Sequence, residues 1–211
     1  MLKKLLQSLT LSLALPVSFL LASGAAMAQG TPDALVRQIS TEVLTAAKGD
    51  AAIQAGDINR VIALVDAKVM PSVNFEVMTR SAVGPQWRGA TPEQRNQLQA
   101  EFKTLLVRVY AGALTQLKDK TVEITRNLPV SGSTQVVVQS EVRGGGEPIK
   151  LDYRLDRPAS TPNAAWKIID VNVGGIWLVQ SYRSQFAQEL SQGGITQLLA
   201  TLAERNKSGK G

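Results

Sequence analysis

The stretch WKIIDVNVGGIWLVQSYRSQF, residues 166 to 186, decides how this chain folds. Up to Val173 its apolar residues alternate in two phases: Trp166 and Ile168 share one, and Ile169, Val171 and Val173 share the other. Alternation marks a strand, and the change of phase marks a bulge near Ile168–Ile169 or a strand covered on both faces. After Gly174–Gly175 the period lengthens. Ile176, Trp177, Val179, Gln180, Arg183 and Phe186, with Tyr182 and Leu190 beside them, fit a helix running to about Ser191. The two glycines read as a sharp strand-to-helix turn. Gly193–Gly194 precedes a last amphipathic helix carrying Ile195, Leu198, Leu199 and Leu202. A segment this apolar either walls a pocket or fills a core.

The sequence before it supplies three more strands. Val122, Ile124, Arg126 and Leu128 alternate with Glu123, Thr125 and Asn127 up to Pro129. Thr134 to Arg143 puts Val136, Val138, Ser140 and Val142 on one face. Gly144–Gly145–Gly146 then closes a hairpin with Ile149 to Asp156, where Ile149, Leu151, Tyr153 and Leu155 alternate with Lys150, Asp152, Arg154 and Asp156. The loop from Arg157 to Ala164 leads back to the opening stretch. Four sequential strands of this kind predict an antiparallel meander with one dry face.

Helices come first in the chain. Leu35, Ile39, Val43, Leu44 and Ala47 recur at helical spacing after Thr31-Pro32-Asp33, and Gly49 ends that helix. Asp57 caps a second helix through Val69, stopped by Met70-Pro71. Val73 to Trp87 holds a short helix ending near Gly84–Pro85. Its side chains either plug a gap between helices or line a pocket. At Thr91-Pro92-Glu93-Gln94 a Thr cap, a Pro at the first helical position and a Gln three residues after the cap spell a capping box. The long helix begun there carries an apolar stripe of Leu98, Phe102, Leu105, Leu106, Val109, Tyr110, Ala113, Leu114 and Leu117. The order helices, strands, helices predicts an α+β fold, with helices over one face of a curved four-stranded antiparallel sheet.

The start of the chain reads as an export signal: Lys3 and Lys4, an apolar run from Leu5 to Leu21, and the small-residue site Ala26-Met27-Ala28. Polar breaks and Pro16 favour a cleaved leader over an uncleaved anchor. The division is a signal peptide over 1–28, one domain over 29–206 and a disordered tail over 207–211, with the domain mainly helical over 29–118, sheet over 119–173 and helical over 174–206. Lys3 and Lys4 are the only charges in the leader, so the net charge of +6 falls to +4 beyond it. That mild, scattered excess is no nucleic-acid footprint.

The chain has neither cysteine nor histidine, which removes thiolate chemistry, His-based nucleophilic sites and most zinc and transition-metal sites. No metal-ligand spacing stands out among the carboxylates. The glycine runs match neither a P-loop nor a dinucleotide fingerprint. Asp170, set between Ile169 and Val171, is the one carboxylate placed to become a base by burial; alternation can equally turn it to solvent or to Arg154.

Met70-Pro71 through Phe75, Met78-Thr79, Gly84, Trp87-Arg88, Ala90-Thr91, Gln94-Arg95, Phe102, Tyr110 and Tyr182-Arg183-Ser184-Gln185-Phe186 together resemble the MlaC family, the periplasmic phospholipid-binding component of the bacterial Mla pathway, also called the toluene-tolerance auxiliary family. The ordered set covers nearly the whole exported part. Two positions depart: Gly175-Ile176-Trp177 stands where many members have Gly-Val-Ser, and Asn74 replaces a common Asp. The resemblance implies a nuclear transport factor 2-like sheet joined to a helical subdomain, with acyl chains in an apolar cavity between them. It implies a carrier with no catalysed reaction and no cofactor, phospholipid being cargo. The monomer would shuttle lipid between an outer-membrane complex containing MlaA and the MlaD subunit of an inner-membrane ABC transporter, sustaining outer-membrane asymmetry, with no nucleic acid involved. Under it the lipid-binding residues are Val73, Met78, Trp87, Leu106, Tyr110, Tyr153, Val171, Val173, Ile176 and Trp177, with no catalytic or metal-binding residue. Two rivals stand beside it: an enzyme on the same fold with Asp170 as base and Tyr153 as hydrogen-bond donor, and an exported adaptor with a filled core.

Overall fold

A computed structural model describes residues 30–158, 160 and 164–209. The assigned leader, part of the loop before the fourth strand and the last two residues lie outside these. The described chain is α+β. Helices α1 (Pro32–Gly49), α2 (Ala51–Gln54), α3 (Ile58–Lys68), α4 (Phe75–Val83) and α5 (Pro92–Thr115) come first. Strands β1 (Thr121–Pro129), β2 (Val136–Arg143), β3 (Ile149–Asp156), β4 (Lys167–Val173) and β5 (Ile176–Trp177) follow, and α6 (Leu178–Ser208) ends the fold. The strands form one antiparallel sheet in the order β1-β2-β3-β4-β5.

The helix starts follow their capping residues. Thr31, Asp50, Asp57 and Asn74 each accept a bond from a first-turn N–H of α1, α2, α3 and α4. The capping box of α5 is complete: Thr91 accepts from the Gln94 N–H while the Gln94 side chain accepts from the Thr91 N–H. The bulge in β4 is also where the alternation puts it, because Arg154 pairs with Asp170 and Leu155 with Ile168, leaving Ile169 as the extra residue. Ile168 can then serve a second neighbour. It forms a parallel bridge with Val73, and its carbonyl accepts the Asn74 N–H at 2.9 Å. This pins the linker before α4 to the sheet.

Three expectations change. Ile176 and Trp177 are a fifth strand rather than the first residues of a helix. Gly174 and Gly175 take φ of 59° and 94°, a two-residue turn that folds the chain back so that Ile176 pairs with Val173 and Trp177 with Asn172. The Asn172 Oδ1 steadies that turn by accepting the Gly175 N–H at 2.9 Å. The chain also remains helical past residue 206: α6 reaches Ser208, and buried Asn206 donates from Nδ2 to the Glu101 carbonyl at 2.9 Å and its Oε2 at 2.6 Å. Finally, the short helix α2 has no counterpart in the sequence reading, since four residues are too few to show a period.

The α6 N-terminus has no side-chain cap of its own; Asp170 does that work from β4. Its Oδ1 accepts the Val171 N–H at 2.9 Å and the Val179 N–H at 3.0 Å, so one buried carboxylate ties the sheet to the helix that follows it. Burial raises the Asp170 pKa above the ordinary carboxylate value, while the two N–H donors and the Arg154 charge pull it down. The folded form therefore holds its proton to higher pH than the unfolded form. Stability from this group falls as pH rises from about 4, the ordinary value, through the raised value. Asp170→Asn keeps the accepting oxygen and removes the buried charge. It should hold stability at neutral pH to within about 1 kcal/mol of the parent and flatten that pH dependence, whereas Asp170→Ala should cost about 1–2 kcal/mol. Chemical denaturation across pH checks both.

A second prediction concerns the β2–β3 hairpin. Gly144 has φ of 127°, and a Cβ there would run into the Asp119 carbonyl. Gly144→Ala should destabilise by about 2 kcal/mol or more, read as a lowered melting temperature.

Candidate functional site

One face of the sheet is largely apolar, with Asn127 of β1 and Ser140 of β2 as polar members. Cross-strand partners share a face, so Ile124, Val136, Val138, Tyr153, Leu155, Val171 and Ile168 lie together at one end, and Val122, Val142, Ile149, Leu151, Val173 and Ile176 at the other. The single hydroxyl among the β2 residues of this face, on Ser140, is satisfied by donating to the Leu151 carbonyl. The first end is closed. Val36 and Ile39 of α1 cover Val138, Leu155 and Ile168, all nearly without solvent exposure. The second end is open, with Ile149 49 % and Ile176 59 % exposed.

The helices form their own cores. The largest is built on Phe102, whose ring centroid lies 5.6 Å from Phe75, 5.0 Å from Tyr182 and 5.2 Å from Phe186. Another joins α1, α2 and α3 to the opposite side of α5 through Val107 and Ala111. A domain of this size usually has one contiguous core. Among the described residues there are three, and the residues shared between them are only partly buried: Val73 and Val171 border the Phe102 core and the sheet core, and Val43 borders the α1–α3 core and the sheet core. They mark a seam between the helices and the sheet.

Helix α5 accounts for the seam. Among the described residues it packs mainly on α2, α3, α4 and α6, while α1, α4 and α6 make the principal helix contacts with the strands. Its stripe divides accordingly. Leu98, Phe102 and Leu105 are buried; Leu106, Tyr110, Leu114 and Leu117 are partly covered, and Val109 is 39 % exposed. The second half of the stripe is apolar surface with incomplete cover.

The ten residues expected to line a pocket fall into five situations. Leu106, Tyr110, Val171 and Val173 are partly buried on the margin of the Phe102 core, and Val73 joins them at the seam. Tyr153 lies on the apolar sheet face against the α1-covered core, where burial pushes its phenol up to about 12. Ile176 is exposed at the open end. Met78 and Trp87 are closed inside the Phe102 core at 3 % and 4 % exposure, with Arg95 5.4 Å from the Trp87 ring. Trp177 is on the other face. Its partner Asn172 points away from the seam, and the Arg154 guanidinium stacks 4.5 Å from the indole. The β5 turn is the physical cause: alternation across a two-residue strand sends Ile176 and Trp177 to opposite sides.

Asp170 has no opening to a substrate. It is 4 % exposed and accepts hydrogen bonds from two backbone N–H groups, the contacts of a helix cap. Among the described residues no group of three acidic, His or Cys side chains is placed to hold a metal ion. No helix among them is long and apolar enough to cross a membrane.

A separate recess of about 400 Å³ lies between α1, α2 and α3, lined by Ala46, Ile53, Ala63, Leu64 and Ala67 with the Asp50–Arg60 pair at 2.5 Å and Lys68 beside them. None of the ten expected residues borders it. Val107 and Ala111, the α5 residues of the α1–α3 core, are what the sequence reading missed. Both α5 residues fall off its main stripe, and only the three-sided packing of that helix reveals their use.

The toluene tolerance protein Ttg2D of Pseudomonas putida is 25 % identical over 169 residues, covering 80 % of this chain and 77 % of that protein. The phospholipid-binding protein of Ralstonia solanacearum, solved in complex with a phospholipid, is 39 % identical and superposes with a TM-score of 0.79 over 86 % of this chain and all of that one. The family model for the MlaC protein matches residues 37–204, and with so much of its length matched this chain belongs to the MlaC family.

Proposed function

We propose that this protein carries phospholipid, with acyl chains lying along the seam between the second half of α5 and the apolar face of the sheet. The observation that carries the reading is the divided interior: three cores whose shared margins, Val73, Val171 and Val43, are apolar and only partly covered. The phospholipid complex of the Ralstonia solanacearum relative supports the same cargo. On this reading Leu106, Tyr110, Val73, Tyr153, Val171 and Val173 touch the chains, Ile176 stands at the mouth, and Met78, Trp87 and Trp177 hold the walls from behind.

The energetics fit a carrier. Each methylene kept from water is worth ~0.8 kcal/mol, so one sixteen-carbon chain exposed in water costs roughly 12 kcal/mol. A seam as apolar as a bilayer makes transfer nearly balanced, and its direction then rests with the partners. We place the protein in the periplasm after removal of residues 1–28. There it passes lipid, as a monomer, between an MlaA-containing outer-membrane complex and MlaD of the inner-membrane transporter, which serves outer-membrane asymmetry. No reaction and no cofactor enter this function.

Mass spectrometry of an organic extract of the purified protein should find phospholipid in near-stoichiometric amount; an extract without lipid sinks the proposal. Ile176→Glu places a charge at the mouth at a site already 59 % exposed. It should leave stability within about 0.5 kcal/mol and lower retained lipid about tenfold or more, since a carboxylate beside acyl chains loses hydration. A melting temperature that falls with the lipid would instead make Ile176 an ordinary packing residue.

A further inference from the structure

The other face of the sheet carries a guanidinium with nothing to bind. Arg154 of β3 is partly buried, its Nε is buried without a partner, and among the described residues it makes no hydrogen bond and no ion pair. It rests on the Trp177 indole, with 4.5 Å between the guanidinium carbon and the ring centroid. The carboxylates that share this face already have donors. Arg143 takes Glu123 at 3.0 Å and Glu141 at 2.8 Å, Asp152 accepts the Ser140 N–H at 3.2 Å, and Asp156 accepts the Thr134 hydroxyl. Asp170, the cross-strand neighbour of Arg154, accepts the Val171 and Val179 N–H groups instead of pairing with it. Strand pairing also sets Val137 beside Arg154 and Leu128 beside Val137 on this face. Leu128 is 38 % exposed, and neither residue belongs to any of the three cores.

An arginine stacked on an indole keeps its charge and its fork of N–H donors in one place, which suits a carboxylate held by two parallel bonds. Arg and Trp are also the residues that carry most of the energy of protein interfaces. We propose that this outer face docks an acidic segment of a partner protein, one carboxylate taking the Arg154 fork while an apolar side chain beside it lies on Val137 and Leu128. A single carboxylate fits here better than a layer of lipid head groups, because the five carboxylates of the face repel a sheet of phosphates, while the apolar row needs a shaped apolar counterpart. The face points away from Val171 and Val173, so a partner seated on it leaves the seam free. The inference therefore stands apart from the carriage of lipid.

The test is the binding of a fluorescent peptide of Glu and Leu, followed by anisotropy against a twin in which every Glu is Gln. The parent should prefer the Glu peptide by about tenfold or more, as hydrogen bonds between charged groups imply. Arg154→Gln should remove that preference and Arg154→Lys should restore only part of it, since Lys keeps the charge without the fork. Lys150→Gln, an exposed cation of the same face, should weaken binding by less than about twofold. Melting temperature and retained lipid should hold in all three variants. A parent that does not distinguish the peptides overturns the proposal, as does equal weakening by Lys150→Gln and Arg154→Gln, which makes the binding general attraction. Loss of lipid from Arg154→Gln at an unchanged melting temperature places the arginine in the seam and also overturns it. If Arg154→Gln melts lower, Leu128→Glu answers the same question at a site already 38 % exposed, and an undiminished affinity there overturns the proposal. Sedimentation with phosphatidylglycerol vesicles that needs Arg154, beside no peptide binding, makes the face a membrane contact and overturns it. Peptide binding by a parent that carries no lipid still supports the docking face and counts against the carrier function alone.

Discussion

The apolar face of the sheet is wider than the helices that cover it, and the rest of the structure depends on that mismatch. A sheet dry on one face must bury it against another layer. Here α1 closes the end formed by Val138, Leu155 and Ile168, and α4 and α6 cover the β4 side. Helix α5, the longest helix before the strands, rests mainly on other helices, and the Ile149–Ile176 end of the sheet stays open. A protein with no function beyond its own stability would close such a gap, since each half-covered side chain forgoes burial free energy. Keeping it apolar and open makes sense for a chain that holds acyl groups.

The frame around the seam is fixed by polar bonds placed at its edges. Asp170 ties the α6 N-terminus to β4, the bulged Ile168 carries the linker before α4, and Asn206 fastens the end of α6 to Glu101. The first two join the helical part to the sheet and the third joins α6 to α5, while the apolar surfaces between those points meet through side chains. Apolar contacts are non-directional, so they can be exchanged for contacts with acyl chains without leaving any backbone group unpaired.

Much of this was legible in the sequence. Caps at Thr31, Asp57 and Thr91, the alternation of four strands, and the phase change that becomes the bulge at Ile169 are local signals read at their own positions. The missed features need neighbours to be seen. A two-residue strand has no period, so Ile176 and Trp177 looked like the first turn of a helix, and with them went the knowledge that they face opposite ways. Val107 and Ala111 lie off the α5 stripe because that helix serves two cores. Met78 and Trp87 have the same chemistry as wall residues, and composition cannot distinguish a side chain packed on protein from one packed on lipid. Asp170, suspicious as a carboxylate in an apolar strand, becomes intelligible only when Val179 is found above it.

The central claim is that acyl chains occupy the seam and not the recess between α1, α2 and α3. Photo-crosslinking with a phospholipid carrying a diazirine on its acyl chain, followed by peptide mapping, tests it most directly. The account predicts adducts on α5 around Leu106 and Tyr110 and on β4 around Val171 and Val173. Adducts confined to the recess around Ile53, Ala63 and Leu64 would contradict it.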